Sequence, residues 1–407
     1  MEEIEFSSMV GSYNPDEYPN ISEFRGISEF EVKSRIKVRQ KRLLWMNAWQ
    51  ELLQVALYFK GPDVSEIGTT WLGSLMGMEA LRPFSPLEVK SLGGAAAFSS
   101  ASWDSCHEPG EIQILAIPWY LDLRLIYYRR DILQKAGVDE STAFLTSGNL
   151  LDTMQKLRAS GFTTPLAMDI LGESPRVVHN IASWIWESGG DFRSQDGHQL
   201  KIKDPKTLEA IVIYYKLGQF LMPGTFGLEE IYTNQAFAEG QVAVAISSER
   251  LYLSLRAGRT QVKPEILANL GIAPLLSMPF LGGANLVIWR HTVHDRAAID
   301  LVNFLTSPLN LKALYEQYMV IPARTEVLKS LPLAEDPYFS VFQRAIMTGR
   351  VIPGFYRWAG VENRLTVTFH QLWSDLLANQ DINPEDEVPR RVIDMANRLE
   401  RTTLANW

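Results

Sequence analysis

The chain has 407 residues, 46% of them hydrophobic and 21% charged, and its net charge at pH 7 is −8. This composition is typical of a folded protein with two ordinary domains or one large discontinuous pair, and it argues against disorder. The acidic balance lacks the basic surface that a nucleic acid or an anionic membrane attracts, so we expect neither as a partner. A single cysteine, Cys106, excludes an internal disulfide and a cysteine-rich metal site.

The apolar segments of the chain are short. The longest, 52–59 and 284–289, fall well below the roughly 20 residues that cross a bilayer. The chain opens with Met1 and an acidic stretch, which lacks the features of a signal peptide. Either the protein is cytosolic, or this is a mature chain whose export signal has been removed.

The opening third alternates strand-like and helical segments. Residues 4–9 and 35–39 are patterned as strands, and 48–59 carries apolar residues at helical spacing. A third strand is predicted at 63–68. This β-α-β order indicates a parallel sheet with helices packed against it.

An irregular loop and two strands are predicted next. Residues 91–108 are small, polar and glycine-containing, as in a loop. The apolar segments 111–118 and 123–128 predict separate strands, the first ending at Pro118.

The remainder of the chain is mostly helical. Helices are predicted at 131–136, 147–159, 176–188, 206–220, 234–239, 295–305 and 309–318, with strands at 242–247 and 284–289. Beyond residue 338 the pattern is almost wholly helical, and no solenoid repeat is present. The sequence therefore predicts an α/β protein of two lobes with a helical carboxyl end.

Five segments, in order along the chain, carry a resemblance to a known family. Residues 116–138 contain a proline that ends a crossover strand, an apolar run ending in Tyr-Tyr, and a helix closing in Ala-Gly-Val. The others are 30–64 (Phe-Glu, Ile-Lys-Val, Gly-Pro-Asp-Val), 237–246 (Phe-Ala-Glu-Gly-Gln-Val-Ala-Val-Ala-Ile), 282–308 (Gly-Gly to Phe-Leu-Thr-Ser-Pro) and 352–362 (Ile-Pro, Trp-Ala-Gly-Val-Glu). Together they resemble the extracellular solute-binding proteins of ABC importers, family 1, the maltose-binding type.

The resemblance implies a two-lobed, periplasmic-binding-protein-like α/β fold, each lobe a mainly parallel sheet flanked by helices, with the ligand in the cleft between lobes. The expected ranges are 1–117 plus 281–307 for the N-lobe and 119–278 plus 310–407 for the C-lobe, with crossovers near 118–122, 276–281 and 306–310.

The function that the resemblance implies is capture of a sugar or oligosaccharide and its delivery to the transmembrane permease subunits of an ABC importer. We expect no catalytic residue, no cofactor, no bound metal and a monomer. The family is exported, so the resemblance implies a periplasmic protein or a cell-surface lipoprotein. In Gram-positive relatives a lipidated cysteine anchors the protein, and no such cysteine is present in this sequence.

Sugar sites combine flat apolar ring faces with hydrogen-bonding groups around them. Trp358 matches the position of a stacking aromatic in the family; the alternative is core packing beside Ile352 and Pro353. Tyr120 and Asp122 follow the crossover proline, where the family places groups that face the cleft. For Asp122 the alternative is an exposed hinge carboxylate.

A second candidate group, Thr69, Thr70 and Trp71, follows the third strand. The charged pair of maltose binders is missing there, which puts a maltodextrin ligand in doubt, and Trp71 can equally begin the next helix. Arg250 follows Ser248 at a strand end, where maltose binders carry an aromatic. Its guanidinium suits hydroxyls, an acidic sugar or a phosphate; the alternative is an ion pair with Glu249.

Further candidates rest on their position. One expected role is to bring backbone N–H groups close to a ligand, at Gly282, Gly283 and Asn285. The alternative is that these residues form a tight turn before a buried strand. The remaining predicted ligand-binding residues are Ser7, Ser8, Trp45, His179, Asn180 and Tyr356.

Two other functions stay open. The chain has no P-loop, no Gly-x-Ser-x-Gly elbow and no His-Glu-x-x-His, and His291 with His294 is better explained as a surface pair. A glycan-active enzyme remains an alternative because paired carboxylates need only be close in space. The other alternative is a binding protein for a polyol, a sugar phosphate or a peptide.

Overall fold

The computed structural model describes residues 2–10, 24–108, 110, 112–170, 176–194, 199–222, 230–352, 355 and 358–402. The chain divides into two compact α/β units. Unit 1 comprises Met1–Asp122, Leu281–Phe339 and Val351–Ala359, and unit 2 comprises Leu123–Phe280, Ser340–Arg350 and Gly360–Trp407.

The points where the chain passes between the units differ in part from the prediction. The passages after Asp122 and Phe280 fall inside two predicted crossover segments. At 306–310 the chain does not cross, and unit 1 continues to Phe339. Residues 310–339 and 351–359 therefore lie in unit 1 rather than in the predicted second lobe. The physical reason is packing: the helix that begins at Pro308 lies against its neighbouring helices and strand of unit 1.

The sheet of unit 1 has the strand order β2-β1-β3-β8, followed by the first half of β4. The strands are β1 (Glu3–Val10), β2 (Lys37–Leu44), β3 (Val64–Gly68), β4 (Ile117–Arg129), β8 (Leu281–Ile288) and β9 (Ile321–Pro322). β1 pairs in parallel with β2 and β3, β3 is antiparallel to β8, and Tyr120 and Leu121 of β4 pair with β9.

The helices of unit 1 cover this sheet. They are α1 (Arg25–Ser34), α2 (Trp45–Tyr58), α3 (Leu72–Gly77), α4 (Pro86–Ser91), α5 (Ser100–Asp104), α13 (Asp295–Leu305), α14 (Pro308–Tyr318) and α15 (Thr325–Ser330). Leu52 of α2 and Leu75 of α3 are fully buried in one cluster with Ile67 of β3 and Trp289, which directly follows β8. This apolar layer, formed by one face of each helix, is the core of unit 1.

The sheet of unit 2 has the order β7-β4-β6-β5, with the second half of β4 inside it. Its other strands are β5 (Leu166–Met168), β6 (Val244–Ser248) and β7 (Leu270–Pro274). β4 is antiparallel to β6 and β7, whereas β5 is parallel to β6. Because β4 runs against β6, its residue Arg124 lies beside Ser248 at the carboxyl end of β6.

The helices of unit 2 surround this sheet and form most of the carboxyl end. They are α6 (Arg130–Lys135), α7 (Ser147–Ala159), α8 (Arg176–Glu187), α9 (Pro205–Lys216), α10 (Glu230–Ala238), α11 (Glu249–Arg256), α12 (Pro264–Ala268), α16 (Phe339–Thr348), α17 (Trp358–Ala378) and α18 (Pro384–Thr402). Their core is aromatic: Tyr214 meets Trp184 edge-on with ring centroids 4.9 Å apart, and Trp373 at 5.3 Å. Each such pair adds about 1 kcal/mol beyond its buried area.

Three predicted elements were wrong. In place of the two strands predicted at 111–118 and 123–128 there is one continuous strand, β4, in which Pro118 is the second residue and does not end a strand. Proline is tolerated at a strand's first residues because its missing N–H costs little there. The predicted loop 91–108 contains helix α5, whose N-cap Ser99 accepts a hydrogen bond from Ser102 N at 3.3 Å.

Candidate functional site

The carboxyl ends of the parallel strands of unit 1 lie at one edge of the sheet. Trp45 directly follows β2 and begins α2, while Thr69, Thr70 and Trp71 form a 3₁₀ turn directly after β3. In α/β folds, ligands bind outside such strand ends. Two of the predicted binding segments are thus brought to one edge by strand direction alone.

Three tryptophans meet at this edge. The ring centroid of Trp71 lies 5.5 Å from that of Trp45 and 5.8 Å from that of Trp49. Trp45 and Trp49 are partly exposed, whereas Trp71 is 7% exposed and supports them from the core side. Partly exposed indole rings on a packed base are suited to the C–H faces of a sugar. We call Trp45, Trp49 and Trp71 the tryptophan group.

The serines of β1 are buried beside a polar network. Ser7 Oγ lies 2.6 Å from Ser65 Oγ, which also accepts from Trp289 Nε1 at 2.7 Å. Ser7 therefore serves core packing, contrary to its prediction as a ligand contact. Ser8 is fully buried as well, and within the described ranges its Oγ has no hydrogen-bond partner.

Tyr120 also points to a buried partner. Its hydroxyl donates a short hydrogen bond to Glu66 Oε1, and Glu66 Oε2 accepts from Met9 N at 2.8 Å. Glu66 is fully buried and was not predicted, although its place inside an apolar strand was a signal. Asp122, the last residue of the first segment of unit 1, is only partly exposed on β4.

The glycine pair and Asn285 belong to the packing of β8. A Cβ on Gly283 would lie 2.1 Å from Tyr120 O, and the residue has a φ of +134°. Only glycine permits this close approach of two backbones. Both Gly282 and Gly283 lie in strand β8, and not in the tight turn that the sequence left as an alternative. Asn285 is 1% exposed, and its Nδ2 donates to Ser105 O at 3.2 Å.

Trp358 does not present a free ring face. It is fully buried as the first residue of α17, with its ring centroid 5.1 Å from that of Phe355. The core-packing alternative therefore describes Trp358, and the prediction of a stacking platform was wrong for it. Tyr356 lies outside the described residues.

Unit 2 carries a buried ionic network at the corresponding ends of β5 and β6. Glu230 Oε1 accepts from Ser248 N at 2.8 Å and from Ser247 Oγ at 3.0 Å. Glu230 Oε2 accepts from Arg176 Nη1 at 3.0 Å, and Arg124 Nη1 lies 3.6 Å from Oε1. We call these residues, with Asp169, the Glu230 network.

The two carboxylates of the Glu230 network have shifted pKa values in opposite directions. Burial alone would raise the pKa of Glu230, but Arg124, Arg176 and the hydrogen bonds from Ser248 outweigh it and lower the pKa to about 2. Asp169 pairs with Arg176, at 3.2 Å. Burial, together with the charge of Glu230, outweighs the two arginines and raises the pKa of Asp169 to about 6.

The predicted residues of unit 2 surround this network. Asn180 Nδ2 donates to Asp169 O at 3.0 Å, and Ser248 caps α11, on which Arg250 is partly exposed. Glu249 Oε2 accepts from Leu123 N at 2.8 Å, so it anchors α11 to β4.

His179 lies in an aromatic stack. Its ring is parallel to that of Phe280, with centroids 4.5 Å apart, and its Nε2 lies 3.1 Å from Glu362 Oε1. Trp186 continues the stack on Phe280, with ring centroids 6.2 Å apart.

Sequence reasoning missed four residues of unit 2: Arg124, Asp169, Arg176 and Glu230. The sequence feature that could have indicated them is a charged residue close to the end of a predicted strand or helix. This feature is weak evidence, because most such charged side chains are exposed to solvent. Within the described ranges, no group of three or more histidine, cysteine or acidic side chains is arranged to hold a metal ion. Among the same residues, no helix combines the length and apolar character needed to cross a membrane.

Comparison with known proteins places this chain in a family. The model of the family "Bacterial extracellular solute-binding protein" matches residues 28–340, and the chain belongs to this family. The membership in the extracellular solute-binding proteins that the sequence indicated is thereby confirmed.

Individual relatives are distant in sequence. A probable ABC transporter-binding protein of Deinococcus radiodurans is 24% identical over 261 residues, 60% of each chain, so this chain spans less than two thirds of that relative. The diacetylchitobiose binding protein DasA of Streptomyces coelicolor is 24% identical over 355 residues, 82% of this chain and 77% of DasA. The maltose-bound structure of T. maritima MalE3 superposes with a TM-score of 0.78 at 19% identity, covering 98% and 100% of the chains. This likeness confirms the predicted two-lobed α/β fold.

Proposed function

We propose that this chain is the substrate-binding component of an ABC importer, which binds a sugar or oligosaccharide and delivers it unmodified to a membrane permease. The family is one of extracellular solute-binding proteins, and two relatives bear the names of a diacetylchitobiose binder and a maltose-bound protein. We further propose a periplasmic or cell-surface location, which suits this role.

The observation that carries the proposal is the tryptophan group. Trp45 and Trp49 expose part of their rings at the edge of unit 1 where α/β folds bind ligands. Stacking on an indole face favours a sugar over a peptide or a phosphate, because a pyranose presents a flat C–H face. Thr69 and Thr70 follow the adjacent strand at the same edge, where both side chains are buried.

The charges of unit 2 favour an uncharged saccharide. Around the ends of β5 and β6 the described residues include three guanidinium groups and three carboxylates, namely Arg124, Arg176, Arg250, Asp169, Glu230 and Glu249. Because these six charges balance at pH 7, they give no net positive charge to attract an acidic sugar or a sugar phosphate. Arg250 then serves as a hydrogen-bond donor to hydroxyl groups.

A thermal-shift screen tests this proposal. The panel comprises maltose, diacetylchitobiose, other mono- and oligosaccharides, and glucose 6-phosphate, sorbitol and a dipeptide as the other solute classes. A ligand at 100 times its dissociation constant stabilises the native state by roughly 2.7 kcal/mol. We expect an uncharged saccharide to raise the midpoint. A shift produced only by the phosphate, polyol or dipeptide would contradict the carbohydrate assignment.

The glycan-active enzyme is separated from the binding protein by the fate of the ligand. We expect the saccharide that shifts the midpoint to be recovered intact, by mass spectrometry, after overnight incubation with the protein. Cleaved or rearranged saccharide, absent from a heat-denatured control, would instead support the enzyme.

A further inference from the structure

Side chains from elsewhere in unit 2 form hydrogen bonds with both the backbone N–H and the carbonyl of Ser248. Its N–H donates to Glu230 Oε1 at 2.8 Å, and its carbonyl accepts from Tyr127 Oη at 2.7 Å. Ser248 is also the N-cap of α11, where its Oγ accepts from Arg250 N at 3.4 Å. The first turn of α11, which carries Arg250, therefore takes its position from a residue that Glu230 and Tyr127 hold.

Glu230 is itself fixed by groups from three other elements. Arg176 of α8, Arg124 of β4 and Ser247 of β6 contact its carboxylate, at 3.0, 3.6 and 3.0 Å. Glu230 is 6% exposed, so it is too deeply placed to contact a ligand directly. A buried carboxylate with several charged partners keeps one position, because moving it would leave buried charges uncompensated.

We propose that Glu230 is a positioning residue for the ligand-binding edge of unit 2: it fixes Ser248 and thereby sets the place of Arg250 for ligand recognition. The part of this inference that concerns ligand recognition rests on the proposed function. The part that concerns the order of Ser248 and α11 does not.

The informative substitution is Glu230→Gln. Both carboxylate oxygens accept hydrogen bonds, Oε1 from Ser247 and Ser248 and Oε2 from Arg176. Glutamine has the same shape but must turn an NH₂ group toward donors on one of the two sides. The matched control is Glu140→Gln, in the same unit, which removes an exposed carboxylate bound to Tyr128 and Arg130.

The first readout is amide hydrogen exchange, measured by mass spectrometry on the intact chain without ligand. We expect peptides covering 244–256 to exchange about ten-fold faster in Glu230→Gln than in wild type. In Glu140→Gln the same peptides should match wild type. Unchanged exchange over 244–256 in Glu230→Gln would overturn the proposal.

The second readout is affinity for maltose and diacetylchitobiose, measured by calorimetry beside the thermal midpoint at pH 7. We expect Glu230→Gln to weaken the saccharide that wild type binds by ten-fold or more, with Glu140→Gln unaffected. Faster exchange with unchanged affinity would overturn the role in ligand recognition. A wild type that binds neither sugar contradicts the proposed function instead, and the exchange measurement still decides the positioning claim.

A second variant keeps the test decisive if Glu230→Gln does not fold. Arg176→Gln removes one donor from Glu230 at a residue whose side chain is 26% exposed, so it is better tolerated. We expect it to accelerate exchange over 244–256 in the same direction by a smaller factor. If a folded Arg176→Gln variant exchanges over 244–256 at the wild-type rate, the claim that the Glu230 network fixes Ser248 and α11 is wrong.

Discussion

Replacing Asp169 with asparagine should stabilise the protein at pH 8 and change its stability little at pH 4. In the folded chain, burial and then the nearby charge of Glu230 raise the pKa of Asp169 from 3.8 to about 6, although Arg176 and Arg124 oppose this. The ionised carboxylate is therefore less favourable in the folded than in the unfolded chain. Asparagine has nearly the same shape and carries no charge to desolvate.

The size of the effect follows from the two pKa values. An acid with a raised folded-state pKa contributes stability below its unfolded pKa of 3.8 and loses it as the pH rises through about 6. A difference of about 2 pKa units corresponds to about 3 kcal/mol at 1.36 kcal/mol per unit. The free energy of unfolding of Asp169→Asn then exceeds that of wild type by about 0.6 kcal/mol at pH 4 and by about 3 kcal/mol at pH 8.

Thermal unfolding at a series of pH values measures this difference. At roughly 2–4 °C per kcal/mol for a unit of this size, Asp169→Asn should melt about 6–12 °C above wild type at pH 8. The control is Asp152→Asn, an exposed residue of α7. A midpoint difference that does not grow between pH 4 and pH 8, or a variant less stable than wild type at pH 8, would refute the reasoning.

Three further perturbations have definite expected results. Trp45→Ala should weaken saccharide binding about ten-fold by calorimetry, because a stacking face is lost. Trp103→Ala, which removes a tryptophan of α5 that stacks on Phe98 instead, should bind as wild type, and an equal loss in both variants would remove Trp45 from the site. Gly283→Ala should lower the free energy of unfolding in urea by about 2 kcal/mol or more, because the added Cβ would lie 2.1 Å from Tyr120 O. An unchanged urea midpoint would disprove that clash. Cys106 is fully buried, and burial raises the pKa of its thiol. We therefore expect this thiol to resist alkylation by iodoacetamide until urea unfolds the chain, and rapid labelling of the native chain would contradict this.

The sequence was most informative where hydrophobic periodicity and chain order decide the structure. Helix α13 was predicted with its exact bounds, and the three parallel strands of unit 1 follow from the β-α-β order. Strand direction then places Trp45 and Trp71 at one edge without further information. The continuity of β4 was missed because Pro118 was interpreted as a strand end, although proline fits the start of a strand equally well.

Burial of individual side chains could not be predicted from the sequence. Trp358 and Ser7 were chosen by position, yet both are fully buried. The partner of Ser7, Ser65, lies 58 residues further along the chain, and local sequence does not reveal such a contact. The Glu230 network shows the same limit. Its members come from β4, β6, α8, α10 and the residue after β5, and only the folded chain brings them together.

The most direct test of carbohydrate binding is calorimetric titration of the wild-type chain with maltose and diacetylchitobiose at pH 7, followed by recovery of the sugar. The account predicts saturable heat with one saccharide per chain, and a ligand of unchanged mass afterwards. Absence of saturable binding with every saccharide of the thermal-shift panel, or release of a cleaved sugar, would contradict it.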